Sequence, residues 1–214
     1  VPVTAGGTLA GKTVTEVAAG YDHTCLLADG TPYCWGYNAN GQLGDGSKVT
    51  RPNVRAVDMT ALAGKALTGL EAGDSYNCVI ADGSLYCWGN NIYGQLGDGT
   101  TFERLTPRAV TGIAGAVTQV SAGAFHTCAV IAGSAYCWGS NGNGELGDGA
   151  APTYSTSPVA VASAGPLQAA TVVAIAAGAW HSAAMVATPP AAPRHASAVA
   201  GDASARITWA PPVV

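Results

Sequence analysis

Charge is scarce in this 214-residue chain: 9 basic and 13 acidic side chains make up 10% of it and leave a net charge of −4, against roughly 25% charged residues in ordinary soluble domains. Nine cations spread along the chain form no basic face, which argues against a nucleic-acid partner. No apolar run reaches the ~18 residues of a membrane-spanning helix. No Ser/His/Asp or paired-carboxylate arrangement can be assembled from the sequence, and Glu and Lys are few, which points away from an enzyme. The six cysteines include no Cys-x-x-Cys pair, the commonest spacing of a structural zinc site. The opening Val1-Pro2-Val3 has neither a basic nor a long apolar stretch, so it reads as the start of a mature or trimmed chain rather than as a signal peptide.

What is abundant is glycine, 29 residues, within a composition that is 48% apolar. That apolar share excludes disorder driven by excess charge. The glycines recur in order. Residues 20–46, 73–99 and 123–149 align without a gap, and a fourth start at 178–187 runs into proline-rich sequence. The leading residues Gly20, Gly73, Gly123 and Gly178 set periods of 53, 50 and 55 residues. A period near ~50 with several short strands per unit predicts β-propeller blades rather than a helical solenoid.

Each unit contains a hairpin that can be read residue by residue. Asp29-Gly30 lies midway between Cys25 and Cys34, and Asp-Gly favours a two-residue type I′ turn because both positions need positive φ. About that turn, 28 faces 31, 27 faces 32, 26 faces 33 and Cys25 faces Cys34 in a non-hydrogen-bonded pair, where Cα atoms sit ~4.5 Å apart. A disulfide spans that distance, and Pro32 falls where no ladder N–H is needed. The same symmetry holds for Cys78 and Cys87 about Asp82-Gly83, and for Cys128 and Cys137 about Ala132-Gly133. In the fourth copy Ala183 stands at the first cysteine position and the partner strand is missing, so both halves of the pair vanish together. Three hairpin disulfides, 25–34, 78–87 and 128–137, are the expectation. A metal site and free buried thiols are the alternatives, and disulfides would imply an oxidising, extracellular compartment.

The recurring Cys-Trp-Gly-x-Asn…Gly-Gln-Leu-Gly-Asp-Gly, preceded by Ala-Gly-x-x-His, resembles the regulator of chromosome condensation repeat. The match runs through Trp35, Trp88 and Trp138 with their loop residues Gln42-Leu43, Gln95-Leu96 and Glu145-Leu146. Glu145 departs from the usual Gln, and Tyr76 from the usual His. The resemblance implies an all-β propeller over residues 1–187, and the cysteines look like an addition found in secreted bacterial relatives. Three full repeats and a partial fourth imply an incomplete ring, or one completed by self-association of two copies or by the remainder of a longer chain. The eukaryotic family's nucleotide-exchange activity is not carried over.

Within the repeat, the leucines read as anchors of the loop in an interblade core, and the tryptophans as packing across the blade seam. The histidines His23, His126 and His181 occupy equivalent positions of different blades, which suits hydrogen-bonded structural roles better than a shared metal. Asn-rich loops ending in Asp45, Asp98 and Asp148 could offer oxygen ligands to calcium, but one Asp per loop is thin, so no cofactor is expected. Beyond a Pro/Ala linker at 188–192, residues 193–214 resemble the opening strands of a fibronectin type III domain, with an ordinary tail as the alternative. Val1-Pro2-Val3 resembles the outer strand seen again at Pro107-Arg108-Ala109-Val110.

The functional expectation is a secreted or cell-surface, non-enzymatic scaffold that binds an unidentified protein. The alternative is a structural block of an extracellular assembly formed by associating half-propellers. Length differs among the stretches 47–72, 100–122 and 150–177, which makes them candidate binding loops. Tyr21, Tyr37, Tyr93, Phe125, Tyr154 and Trp180 are the candidate contact aromatics.

Overall fold

Alternation of apolar and small residues around each Asp/Ala-Gly turn gives antiparallel hairpins, and the glycine-rich loops between them give further reversals. The result, in a computed structural model, is described for residues 7–150, 153–161 and 171–187, and for the backbone alone over 194–201 and 204–210. Three sheets of four strands follow the chain in simple up-and-down order: β1 (Val14–Ala19), β2 (His23–Ala28), β3 (Thr31–Gly36), β4 (Arg51–Ala56); β5 (Leu67–Ala72), β6 (Tyr76–Ala81), β7 (Ser84–Gly89), β8 (Arg104–Ala109); β9 (Val117–Ala122), β10 (His126–Ile131), β11 (Ser134–Ser140), β12 (Tyr154–Ala160). A fourth sheet has two strands, β13 (Thr171–Ala177) and β14 (Ser182–Ala187). The first strands of successive sheets lie side by side, β1 to β5 to β9 to β13, which places them innermost and makes each sheet a blade. A separate hairpin pairs β15 (Arg194–Gly201) with β16 (Ser204–Ala210). The outer-strand reading of Val1-Pro2-Val3, the 188–192 linker and the side chains of 193–214 lie outside the described residues.

The hairpin register is the one the spacing predicts. His23 faces Gly36, Cys25 faces Cys34 and Ala28 faces Thr31, with equivalent pairs in the next two blades. Asp29 and Gly30 take φ of 47° and 72°, Asp82 and Gly83 49° and 74°, Ala132 and Gly133 49° and 78°, the mirror-image turn that matches strand twist. Cys25–Cys34, Cys78–Cys87 and Cys128–Cys137 are disulfide-bonded, each with a Cα–Cα distance of 4.1 Å. Three disulfides fit an oxidising, extracellular setting. Among the described residues no helix is long and apolar enough to cross a membrane.

The core lies between blades. Leu43, Val57, Val79 and Trp88 fill the first interface, and Leu96, Val120, Ile131 and Trp138 the second. Close approach at the inner strands requires glycine. A Cβ on Gly20 would sit 2.6 Å from the carbonyl oxygen of Gly73, and one on Gly73 2.6 Å from that of Gly123.

Two expectations need correction. Trp35 is only half-buried, against Leu26, Ala28 and Tyr33 on the outer side of the first blade, because among the described residues no earlier blade supplies a loop for it. The stretches 47–72 and 100–122 are not simply loops, since each contains an outer strand and the next inner strand: β4 and β5, then β8 and β9.

Candidate interaction face and the seams that support it

The loop after each third strand is organised by its asparagine. Asn38 Oδ1 accepts the Leu43 N–H at 2.9 Å while its amide donates to the carbonyls of Ser47 and Val49 at 3.0 and 3.1 Å. Asn91 repeats this with Leu96, Thr100 and Phe102. Leu43 and Leu96 are thereby driven fully into the interblade cores.

Two of the three loop aspartates are held by arginine, while Asp148 accepts from Asn141 Nδ2 at 3.5 Å and from the Ala150 N–H at 3.0 Å. Asp45 Oδ2 accepts from Arg51 Nε at 3.1 Å and Asp98 Oδ2 from Arg104 Nε at 2.6 Å, while their Oδ1 atoms accept from Ser47 and Thr100. Burial pushes both carboxyls up, but these hydrogen bonds and the guanidinium charge outweigh it and hold them below the usual carboxylate range. A calcium ion there would have to displace an arginine.

The Gln position of each loop has its own polar partner. Gln95 Oε1 accepts the Tyr93 N–H and its Nε2 donates to Asn90 Oδ1, both at 3.0 Å. Glu145 cannot donate. Ser140 stands where Asn90 did and donates to Glu145 Oε1 at 3.2 Å, with the Asn143 N–H on Oε2 at 2.8 Å. The departure from Gln at 145 is thus matched by a departure from Asn at 140. In the first blade the equivalent of Asn90 is Tyr37, and Gln42 Nε2 is buried with no partner among the described residues.

The main-chain carbonyl of that same residue reads the next blade. Gln42 O accepts from Asn77 Nδ2 at 2.7 Å and from Trp88 Nε1 at 3.0 Å. Gln95 O accepts from Thr127 Oγ1 at 2.8 Å and from Trp138 Nε1 at 2.9 Å. Glu145 O accepts from Ser182 Oγ at 2.8 Å. At the repeat position one residue earlier, His23, Tyr76 and His126 reach forward to the next blade. His23 Nε2 lies 3.0 Å from Asn77 Oδ1 and His126 Nε2 lies 3.0 Å from Ser182 Oγ. Asn77 Oδ1 can only accept, and the Ser182 hydroxyl proton is directed to Glu145 O, so both imidazoles carry their proton on Nε2. Tyr76 fills the same place with its hydroxyl, donating to the His126 carbonyl at 2.6 Å. Burial lowers the pKa of His23 and His126 and raises that of Tyr76. These histidines are seam struts. Among the described residues no cluster of three His, Cys, Asp or Glu side chains could hold a metal.

Above the seams, three of the six candidate aromatics meet. Tyr93, from the second blade's loop, packs edge-on against Phe125 at 5.5 Å between ring centroids. Phe125, from the β9–β10 turn, lies 5.6 Å from Trp180 of the β13–β14 turn. The row crosses three blades, and Trp180 at its end is 53% exposed. Tyr21, Tyr37 and Tyr154 are exposed too but stand outside these ring contacts. The carbonyl acceptors at 42, 95 and 145 gave no sequence signal, because a main-chain oxygen is common to every residue; the hydroxyl or amide at 77, 127 and 182 was the visible half of the pair.

Four-stranded up-and-down blades around a common inner edge, locked by a residue-for-residue repeated seam, define an arc of a β-propeller. The Regulator of chromosome condensation (RCC1) repeat matches residues 14–42, 29–80, 82–130 and 132–185, and the chain belongs to that family. Human WBSCR16 superposes with a TM-score of 0.72 at 27% identity, over 82% of this chain and 46% of that one. Prp20p from Saccharomyces cerevisiae, a structure described with its binding to Gsp1p and histones, superposes at 0.69 and 22% identity, over 81% and 43%. In sequence, the ultraviolet-B receptor UVR8 of Arabidopsis thaliana is 36% identical over 110 residues, 50% of this chain and 24% of the receptor. The human E3 ubiquitin-protein ligase HERC2 is 34% identical over 113 residues, 50% of this chain and 2% of the ligase. The chain therefore spans less than half the length of each of these relatives.

Proposed function

We propose that this propeller arc is a non-enzymatic protein-interaction module whose binding face is the row Tyr93–Phe125–Trp180. The observation that carries the reading is the row itself: three rings from three blades, in mutual contact, partly open to solvent. Aromatic clusters on rigid elements supply large contact area at low entropic cost, which is why they dominate interface energetics. His23 and His126 are already committed to seams and Asp45 and Asp98 to arginine pairs, which leaves them poorly placed for catalysis. Relatives in the same family include a receptor and a protein described with its protein partners, which supports an interaction role. The disulfides support a secreted or cell-surface setting; the bacterial type and the fibronectin type III-like segment from residue 193 rest on the sequence resemblance alone.

The test is affinity capture from extracellular and envelope fractions with the intact chain and with a Phe125→Ser/Trp180→Ser variant. A protein retained by the first and lost by the second, at unchanged melting temperature, is expected. Equal capture by both, or capture by neither, would overturn the reading.

A further inference from the structure

The seam is built twice in full and once in part. In the first two, the carbonyl of the loop residue takes two donors, a short polar side chain and an indole. In the third, Ser182 donates to Glu145 O, but among the described residues no indole does. Where that ring would lie there is a cavity of about 350 Å³, lined among others by Cys137, Glu145, Gly147, Val161, Ile175 and Ser182. The lining corresponds position by position to the surroundings of the two buried tryptophans. Trp88 packs on Gly44 and Val57, and Trp138 on Gly97 and Val110: the Nε1 atoms lie 2.7 and 2.6 Å from ideal Cβ positions on those glycines, and the valines 2.9 Å. Gly147 and Val161 are the third such pair, and among the described residues the only neighbour within 4 Å of a Cβ on Gly147 is that valine, at 3.3 Å.

The strand beside the cavity is open as well. β14 pairs with β13 on one side and with no strand among the described residues on the other. Cys25, Cys78 and Cys128 are fully buried at the position of Ala183, which is exposed, and Leu27, Ile80 and Val130 are buried at the position of Met185, which is 60% exposed. Open edge and empty indole site adjoin, as they must if one missing element accounts for both.

We propose that the cavity beside Glu145 and the free edge of β14 form a docking site for an extended segment carrying tryptophan followed by glycine, in the pattern of β7 and β11. The segment adds antiparallel to β14, its backbone pairing with Ser182, Ala184 and Val186, and its indole N–H donates to Glu145 O. Strand addition of this kind takes its affinity from main-chain hydrogen bonds and its specificity from side-chain pockets at alternate positions. The occupant follows from continuity with the two complete seams, which show what this surface accepts. The site is a side face of the arc that adjoins the aromatic row at Trp180, which also lines the cavity; the proposal goes beyond that row because it rests on the β14 edge and the Glu145 carbonyl.

Register makes the proposal testable by disulfide trapping. In the complete blades the first cysteine of the second strand faces the cysteine preceding the tryptophan, with Cα atoms 4.1 Å apart. An Ala183→Cys variant of the whole chain is mixed with a peptide copying residues 134–140, Ser-Ala-Tyr-Cys-Trp-Gly-Ser, its cysteine activated as the thionitrobenzoate mixed disulfide. Attack by the thiolate introduced at 183 displaces thionitrobenzoate, whose release is read by colour. Release should be roughly tenfold faster than with the peptide whose Tyr and Cys are exchanged, or with its Trp replaced by Ala, because only the matching register raises the effective concentration. Adding Ala184→Pro, which removes an edge N–H, should slow the matching peptide to the level of the controls. Equal rates for all three peptides overturn the proposal. So does preferential disulfide formation between two Ala183→Cys chains that the matching peptide fails to suppress, which would make a second copy the occupant.

Discussion

Trp138 donates its indole N–H to the main-chain carbonyl of Gln95, 43 residues earlier and one blade away, at 2.9 Å. The ring is fully buried, so it contributes apolar area to the seam and a fixed hydrogen bond to the loop that precedes it. Trp138→Phe should keep most of the area and lose the bond, lowering stability by about 1–2 kcal/mol in urea unfolding. Trp138→Ala should cost about 3–5 kcal/mol. The half-buried Trp35 makes no such bond in the described structure, and Trp35→Phe should cost well under ~1 kcal/mol on the same assay.

Gln42 presents the opposite case, a buried amide with no acceptor among the described residues. In the second blade the acceptor is Asn90 Oδ1. Tyr37→Asn places the same group in the first blade and should raise stability by about 1 kcal/mol, measured as a shift in the denaturation midpoint at unchanged slope. No gain, or a loss, would show that Tyr37 contributes packing that outweighs the missing bond.

Ala132 occupies the first turn position of the third hairpin at φ 49°, a region costly for alanine. At the two equivalent turns Asp29 and Asp82 accept from the main-chain N–H of Thr13 and Ala66 at 3.1 and 3.0 Å. Ala132→Asp should therefore stabilise by about 0.5–1.5 kcal/mol through easier backbone geometry and one new bond, the Ala116 N–H being its donor. Differential scanning calorimetry of the single variant is sufficient.

Stability should fall on mild acidification. Burial holds His23 and His126 below their unfolded value of 6.5, so the unfolded chain takes up protons first as pH drops through that value. The contribution is complete above 6.5 and is lost progressively below it, down to the folded pKa values. The loss of Asp45 and Asp98 follows at lower pH, below their unfolded value of 3.8. Glu71, raised by burial, works in the opposite direction in the acid range. A His23→Gln/His126→Gln variant should show a flatter profile between pH 7.5 and 5.5 in chemical denaturation; an unchanged slope would mean the imidazoles take up protons as readily in the folded chain as in the unfolded one.

Calcium should leave the melting temperature unchanged, because Arg51 and Arg104 already neutralise Asp45 and Asp98 and Asp148 alone offers one carboxylate to an ion that takes about six to eight oxygens. A calcium-dependent rise, abolished in Asp98→Asn, would reverse that conclusion.

The blades were legible because their determinants are local. A two-residue turn fixes the register of the strands on either side, and register placed the cysteines opposite each other. The leading glycines set the repeat period, and the structure gives the reason they recur: a Cβ on Gly20 or Gly73 would meet a main-chain carbonyl of the next blade. The aromatics were legible as a set but not as a grouping. Tyr93, Phe125 and Trp180 sit at non-equivalent repeat positions, and only the curvature of the arc brings a loop of one blade over the turn of the next. Reading Trp35 like its two counterparts failed because burial of that residue depends on a neighbour rather than on its own strand. The seam acceptors were invisible in principle, since they are main-chain atoms.

The carbonyl at residue 42 answers to two side chains of the following blade, and the carbonyl at 95 to two of the blade after that. A loop can therefore relax only when its downstream neighbour lets go. The arc should behave as a chain of nearest-neighbour couplings, opening from its margins inward. Amides of β6 and β7, clasped on both flanks, would then exchange last with solvent, and the order of exchange along the chain would trace the linkage from blade to blade.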